Sequence, residues 1–381
     1  MYINCKYSKS KGNSIEEQLG YLCESGFGEG QIVRLVFFGS PGNNEEYLKH
    51  LDLIAQTIKT YFGEKAPVFS YAAQPPLEQD TLIVETFEVE REPGTRIDYK
   101  RQGDLPYIIV QNEKSKKLFV GGAMADSLND SIRVQADQVF AKLNRIFVQE
   151  GMSVSSIVRQ WNYIEQITKM DGLHQHYQEF NDSRTHFYAS ANWDDGFPAA
   201  TGIGTSFGGV MVDLEAFCYT APEDRIIPLN NSLQVPAFGY SGQVLVGEED
   251  KELKQKTTPK FERAKLVVEN GNGLVYISGT AAIRGENSLA GVGVKEQTRI
   301  TLENIEHLVS DETLNPVNIR KKGEASFLSM RVYLKERSFL EEVRKVMMEK
   351  YAHLPVIYLL ADVCREELLV EIEGLARVSA L

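Results

Sequence analysis

The stretch LVYISGT (Leu274–Thr280) reads as a strand running into a glycine, and VKEQTRITLENIEHLVS (Val294–Ser310) follows it with apolar residues at helical spacing. Further on, FLSMRVYL (Phe327–Leu334) reads as a second strand and Ser338–Tyr351 as a second amphipathic helix. Pro355 then opens a pair of strands that finishes with Glu371-Ile372-Glu373-Gly374. The order is β-α-β-α-β-β, an α+β unit.

The same order recurs upstream. Phe119-Val-Gly-Gly122 supplies a strand and its glycines, Arg133–Glu150 a helix, Ser156–Ile164 a strand and Tyr177–Tyr188 a second helix. Pro198 then opens a strand pair ending Asp213-Leu-Glu215-Ala216. A third copy precedes these: helix Ser14–Ser25, strand Gln31–Phe38, helix Glu45–Phe62, then Pro67 and a strand pair ending Ile83-Val-Glu85-Thr86. From the proline to the first position of the closing motif is 16, 15 and 16 residues in the three copies. The first copy is expected to lack the opening strand. Three such units in tandem predict a pseudo-trimer within one chain. The expected domains are residues 1–115 (a degenerate unit with its connecting segment), 116–221, a linker over 222–260, and 261–381, which carries the proposed catalytic acid. The charged run Gly247–Lys256 in the linker reads as a solvated loop.

The 381 residues, 43% of them apolar, suffice for two or three compact units. Forty-one basic against 53 acidic residues give a net charge of −12, which argues against a phosphate-backbone binder. The N-terminus is polar, no apolar run approaches the roughly 20 residues of a membrane span, and the four cysteines show no C-x-x-C spacing. The expectation is a cytoplasmic protein, a monomer or low-order oligomer, bound to neither nucleic acid nor membrane. Gly202-Ile-Gly204 with Gly208-Gly209 has dinucleotide-like spacing but leads into a strand, Val210–Leu214, and not a helix. His174 and His176 form an H-x-H without a third ligand nearby in sequence. No cofactor and no metal are expected.

Comparison among the copies separates scaffold from site. The last acid recurs as Glu85, Glu215 and Glu373, which indicates a shared architectural role. Two residues earlier stand Ile83, Asp213 and Glu371, different in each copy and on the same strand face as the recurring acid. Glu371 is therefore the first candidate for chemistry.

The later units resemble the Rid family of reactive-intermediate deaminases through Val275-Tyr-Ile-Ser-Gly279, the helix of Gln297, and Pro355 through Glu371-Ile-Glu-Gly374. This implies tandem Rid-like (chorismate-mutase-like) units. That family places a carboxylate-binding arginine two residues after the proline; here those positions are Phe69, Ala200 and Ile357, which counts against imine hydrolysis. The whole order is similar to the chorismatases. Val158–Tyr163, Tyr177–Arg184, Phe197–Thr205, Gln234–Tyr240, Pro259–Ala264, Ser278–Ala281 and Ala361–Glu373 carry that similarity. Departures are Phe238-Gly239, Gly285-Glu286 and a longer Ser241–Thr258 connection.

The resemblance implies removal of pyruvate from chorismate to give a hydroxybenzoate or a dihydroxycyclohexadiene carboxylate. The reaction begins by protonating the enolpyruvyl methylene, which needs an acid still protonated near neutral pH, and a carboxyl on a buried strand meets that need. Glu371 takes that role. Arg184 is the foremost candidate for the substrate carboxylates, because a guanidinium pairs bidentately with carboxylate; Arg331 and Arg263 are weaker ones. Cys364, placed on the strand adjoining Glu371, with Tyr240, Gly279 and Thr280, completes the expected pocket. The alternatives are a Rid-like enamine or imine deaminase and a non-catalytic small-molecule binding protein.

Overall fold

The computed structural model describes residues 3–90, 93–250, 252–319 and 323–379; Lys251 of the charged run and the first two residues of the N-terminal segment lie outside them. The first unit comprises β1 (Ile3–Lys9), α1 (Ile15–Ser25), β2 (Gln31–Phe38), α2 (Asn44–Phe62), β3 (Val68–Ala72) and β4 (Ile83–Val89). A hairpin, β5 (Arg96–Gln102) and β6 (Leu105–Gln111), leads to the second unit. That unit is β7 (Ser115–Met124), α3 (Ile132–Glu150), β8 (Ile157–Glu165), α4 (His176–Tyr188), β9 (Ala199–Thr205) and β10 (Val210–Tyr219). After β11 (Arg225–Leu229) and β12 (Ala264–Glu269), the third unit is β13 (Asn272–Ala281), α5 (Val294–Leu308), β14 (Ser326–Leu334), α6 (Leu340–Tyr351), β15 (Val356–Leu360) and β16 (Val370–Ser379).

Each unit orders its strands first-fourth-second-third: β1-β4-β2-β3, β7-β10-β8-β9 and β13-β16-β14-β15. Second and third strands pair in parallel across the intervening helix and the other pairs are antiparallel. Contrary to expectation, the first unit has its opening strand. β1 runs antiparallel to β4, Cys5 opposite Phe87 and Tyr7 opposite Glu85. The hairpin β5–β6 widens the second sheet, and β11–β12 widen the third.

Local signals set the helix ends. Ser14, Asn43 and Ser131 accept hydrogen bonds from backbone amides of the first turns of α1, α2 and α3, and Gly151 closes α3 in the left-handed conformation that a glycine adopts without strain. The helices cover one face of their own sheets, giving three separate cores. The opposite faces of all three sheets meet in a fourth, shared core that includes Cys5, Val36, Phe87, Trp161, Tyr163, Tyr276 and Tyr333. On β14 the alternation is plain: Met330, Val332 and Leu334 face the helices, while Tyr333 faces the shared core with Arg331, its neighbour two residues back.

The recurring glutamates sit in that shared core, each paired with an arginine on the second strand of another unit. Arg34 Nη2 lies 3.1 Å from Glu215, Arg159 Nη2 lies 2.7 Å from Glu373, and Arg331 donates to both oxygens of Glu85. Arg331 also reaches Glu373 at 3.2 Å, and Tyr276 bonds Glu215 at 2.8 Å. The pairing is cyclic, first unit to second, second to third, third to first, so a pseudo-threefold axis runs through the chain. Both faces of these strands are buried, which is why Arg331 points into protein where an antiparallel strand on the surface would have turned it to water.

Candidate active site

A cleft opens between the second and third units. Its walls come from α4 (Tyr177, Asn181), from the segment preceding β12 (Pro259, Phe261, Arg263), from Gly279 and Ala281 on β13, from Cys364 and Arg365, and from Glu371 on β16. The volume open to the centre of a water molecule is about 60 Å³, room for several waters.

Glu371 lies at the base of this cleft because β13 bulges there. Ile277 pairs with Gly374 and Thr280 with Ile372, so Ser278 and Gly279 together face Glu373. Bulges of this kind re-aim side chains beside active sites. Gly279 is required by contact: a Cβ there would overlap Glu371 Oε1 and lie 3.0 Å from Thr201 Cγ2. No described residue hydrogen-bonds the Glu371 carboxyl. Burial, reinforced by the negative Glu373, pushes it up to about 8 against the opposing influence of Arg159 and Arg263.

The corresponding position of the second unit behaves differently. Asp213 receives the Ser70 hydroxyl at 2.5 Å and the Gly122 amide at 2.8 Å, with Arg34 Nη1 at 3.7 Å. In the first unit the position is the apolar Ile83. Of the three, Glu371 is the one whose carboxyl faces a cleft without donors.

Arg263 is buried on the cleft wall. Its Nη2 donates to the Val235 carbonyl at 2.8 Å and to the Tyr240 hydroxyl at 2.5 Å, its Nε has no partner, and no carboxylate pairs with it among the described residues. A buried guanidinium without a counter-ion is a standing demand for an anion. Arg184 is also buried, and among the described residues no carboxylate pairs with it: Nη2 bonds Asn181 Oδ1 at 2.6 Å and Nε has no partner there. It stands behind Asn181 and does not itself line the cleft. Burial, with Arg184 nearby, lowers the Lys260 ammonium, so two positive groups crowd that end.

Two expected residues lie elsewhere. Arg331 belongs to the central ion-pair ring described above. Thr280 turns its hydroxyl back to the Ser278 carbonyl at 2.8 Å, away from the cleft, because it falls beyond the bulge. Cys364 does line the cleft, but from the loop between β15 and β16 and not from a strand; burial and the neighbouring Glu371 push its thiol up to about 12, keeping it neutral. Tyr240 and Gly279 are on the wall. His176 bonds the Glu165 carbonyl at 2.8 Å through its ring.

The connection Ser241–Thr258, expected as part of the linker 222–260, also supplies part of the cleft wall. Val244, Leu245 and Val246 line the cleft. Asp250, buried, ties the segment to α3 through Arg133 at 3.0 Å, while Glu286, at a position where the sequence departs from the family pattern, accepts from the Ser241 amide and hydroxyl at 2.7 Å each. Tyr177, Phe261 and Arg365 were also without an assigned role. Tyr177 and Arg365 adjoin residues already singled out in sequence, which is the signal that could have found them.

With this geometry in view, comparison with known proteins is informative. Residues 88–216 match the family described as chorismatase FkbO/Hyg5-like, N-terminal. Over these residues the chain is similar to the chorismatases. A 3-hydroxybenzoate synthase of Streptomyces hygroscopicus is 31% identical over 234 residues, 59% of this chain and 64% of that protein. A chorismatase of Streptomyces rapamycinicus is 29% identical over 58% of this chain and 63% of its own. The match thus spans less than two thirds of either relative. A crystal structure of a chorismatase superposes with a TM-score of 0.69 over 98% of both chains at 21% identity, so the likeness of fold extends through all three units.

Proposed function

We propose that the protein releases pyruvate from chorismate, using Glu371 as the general acid. The observation that carries this is a buried carboxyl, free of donors and pushed up to about 8, at the base of a cleft whose wall holds a guanidinium lacking a counter-ion. Vinyl ethers hydrolyse through protonation of their terminal carbon, and such an acid stays protonated at neutral pH where an ordinary glutamic acid would not. Glu371 donates its proton to the enolpyruvyl methylene, the ether carbon becomes oxocarbenium-like, and water captures it to give a hemiketal. Collapse of that adduct breaks the bond to the ring oxygen and liberates pyruvate.

The dianionic substrate fits the charge distribution of the cleft. Arg263, oriented by Val235 and Tyr240, takes one carboxylate; Arg184, acting with Asn181 and close to Lys260, provides the positive field at the other end. Cys364 offers a neutral thiol to the bound ring. The names of the relatives support the same class of chemistry. The test is a pyruvate assay coupled to NADH oxidation by lactate dehydrogenase, with mass spectrometry of the aromatic or diene product. Wild-type protein is expected to release pyruvate, and Glu371→Gln to lose about 10²–10⁴ of that rate while remaining folded. No pyruvate above buffer from the wild type would sink the proposal.

A further inference from the structure

We propose that Glu373, fixed by Arg159, Arg331, Trp161 and Thr201, is a positioning residue that keeps its neighbour Glu371 in the acid form. This inference rests on the reading of Glu371 as the general acid.

The geometry sets the relation. The two glutamates lie on one face of β16, one residue between them, their Cα atoms roughly 7 Å apart along the strand. Glu373 is locked in its ionised form by an unusually complete set of donors. Arg159 Nη2 stands 2.7 Å from Oε2, Arg331 Nη1 3.2 Å and Trp161 Nε1 2.9 Å from Oε1, and the Thr201 hydroxyl also donates to Oε2. Burial alone would raise Glu373, but these partners hold it below the usual carboxylate range. Thr201 couples the two sites physically. Its hydroxyl oxygen accepts the Gly279 amide at 2.9 Å, and Gly279 is the residue against which the Glu371 carboxyl is packed.

The charged and titratable groups facing Glu371 are few. Glu373 comes from its own strand, Arg159 from β8, Arg263 from the segment before β12, Cys364 from the β15–β16 loop and Tyr177 from α4. Glu373 is the fixed negative charge among them, and a like charge at this distance in protein surroundings is worth on the order of one pH unit or more. Arg159 and Arg263 act in the opposite sense. The internal repeat shows that this use is specific to one copy. Glu85 and Glu215 occupy equivalent places in the ring, yet beside them stand Ile83, with nothing to titrate, and Asp213, already tied to Ser70 and Gly122. A residue that serves the scaffold in all three units gains a second role in the one that holds the cleft.

The experiment reads the protonation of Glu371 directly, by infrared titration of the ligand-free protein, with the protonated-carboxyl band assigned through its loss in Glu371→Gln. In Glu373→Gln the midpoint should fall by about one pH unit or more, and the alkaline limb of kcat/KM should move with it, giving up to about tenfold less activity near pH 8. In Arg159→Gln both should move upward. Glu373→Asp should return the midpoint towards the wild type. Glu215→Gln, which removes the same charge from an equivalent ion pair, should move neither readout. An unmoved midpoint in folded Glu373→Gln overturns the inference; if that variant does not fold, a midpoint no lower in Arg159→Gln/Glu373→Gln, which removes both charges of the pair, than in Arg159→Gln overturns it instead. Because the infrared midpoint needs no turnover, failure of the wild type to release pyruvate would refute the proposed reaction and leave this test standing.

Discussion

The general acid proposed here should be a burden on the fold, and the burden can be measured. In the folded chain the Glu371 carboxyl titrates near 8, against 4.5 for an unperturbed glutamate. Between those values the folded state holds a proton that the unfolded chain gives up. The stability associated with the protonated group is therefore fully present below pH 4.5, declines as pH rises, and is gone above about 8. At pH 7 the group stands roughly two and a half pH units above its unfolded value, which at 1.36 kcal/mol per unit is about 3 kcal/mol. Glu371→Gln keeps the shape and removes the titration. The variant should match the wild type near pH 4.5 and exceed it by about 3 kcal/mol at pH 7, while losing activity. Urea denaturation at half-unit steps from pH 4.5 to 8.5, followed by circular dichroism, gives the gap at each pH. A gap that does not widen with pH, or a variant less stable than the wild type at neutral pH, would refute the reasoning.

Other substitutions probe the remaining parts. Gly279→Ala places a methyl group against Glu371 Oε1 and should reduce kcat by about 10²-fold through displacement of the acid, as steady-state kinetics would show. Arg263→Met removes a buried charge that has no carboxylate within ion-pair distance among the described residues, so the ligand-free protein should melt no lower than the wild type while KM for the dicarboxylate rises at least about tenfold. Arg331→Met strands Glu85 in the shared core and should cost about 3–5 kcal/mol in a denaturation experiment. Asp250→Ala cuts the tie between the Ser241–Thr258 segment and Arg133, and hydrogen exchange should accelerate in that segment and not in the β13–β16 core.

The tandem architecture was legible because it rests on periodic signals: apolar spacing, a proline at the same point of each copy and a recurring acid. The opening strand β1 escaped because it is polar, with Cys5 and Tyr7 turned inward among Asn4, Lys6, Ser8 and Lys9. That Glu371 differs from its counterparts could be read by comparing copies, and the structure places it on the cleft. What local sequence could not convey was apposition. Arg331 and Arg263 are both arginines beside or within strands, and only the folding of three sheets onto one axis sends the first to an ion-pair ring and the second to a cleft. The wall formed by Val244–Val246 is equally invisible, because three apolar residues between Gln243 and the charged run carry no periodic signal, and only the folded connection turns them to the cleft. The bulge at Ser278-Gly279 likewise turned Thr280 away, a one-residue change in register that alternation along the strand does not announce.

The covalent joining of the three units has a consequence for how such a protein can change. In an assembly of identical subunits, every substitution appears three times, and an alteration that suits one interface is imposed on the others. Here Ile83, Asp213 and Glu371 are encoded separately, so one junction could be sealed with a hydrocarbon side chain, another stitched with a satisfied carboxylate, and the third left open for a ligand. Occupancy should accordingly reach one small molecule per polypeptide, with no cooperativity between equivalent sites.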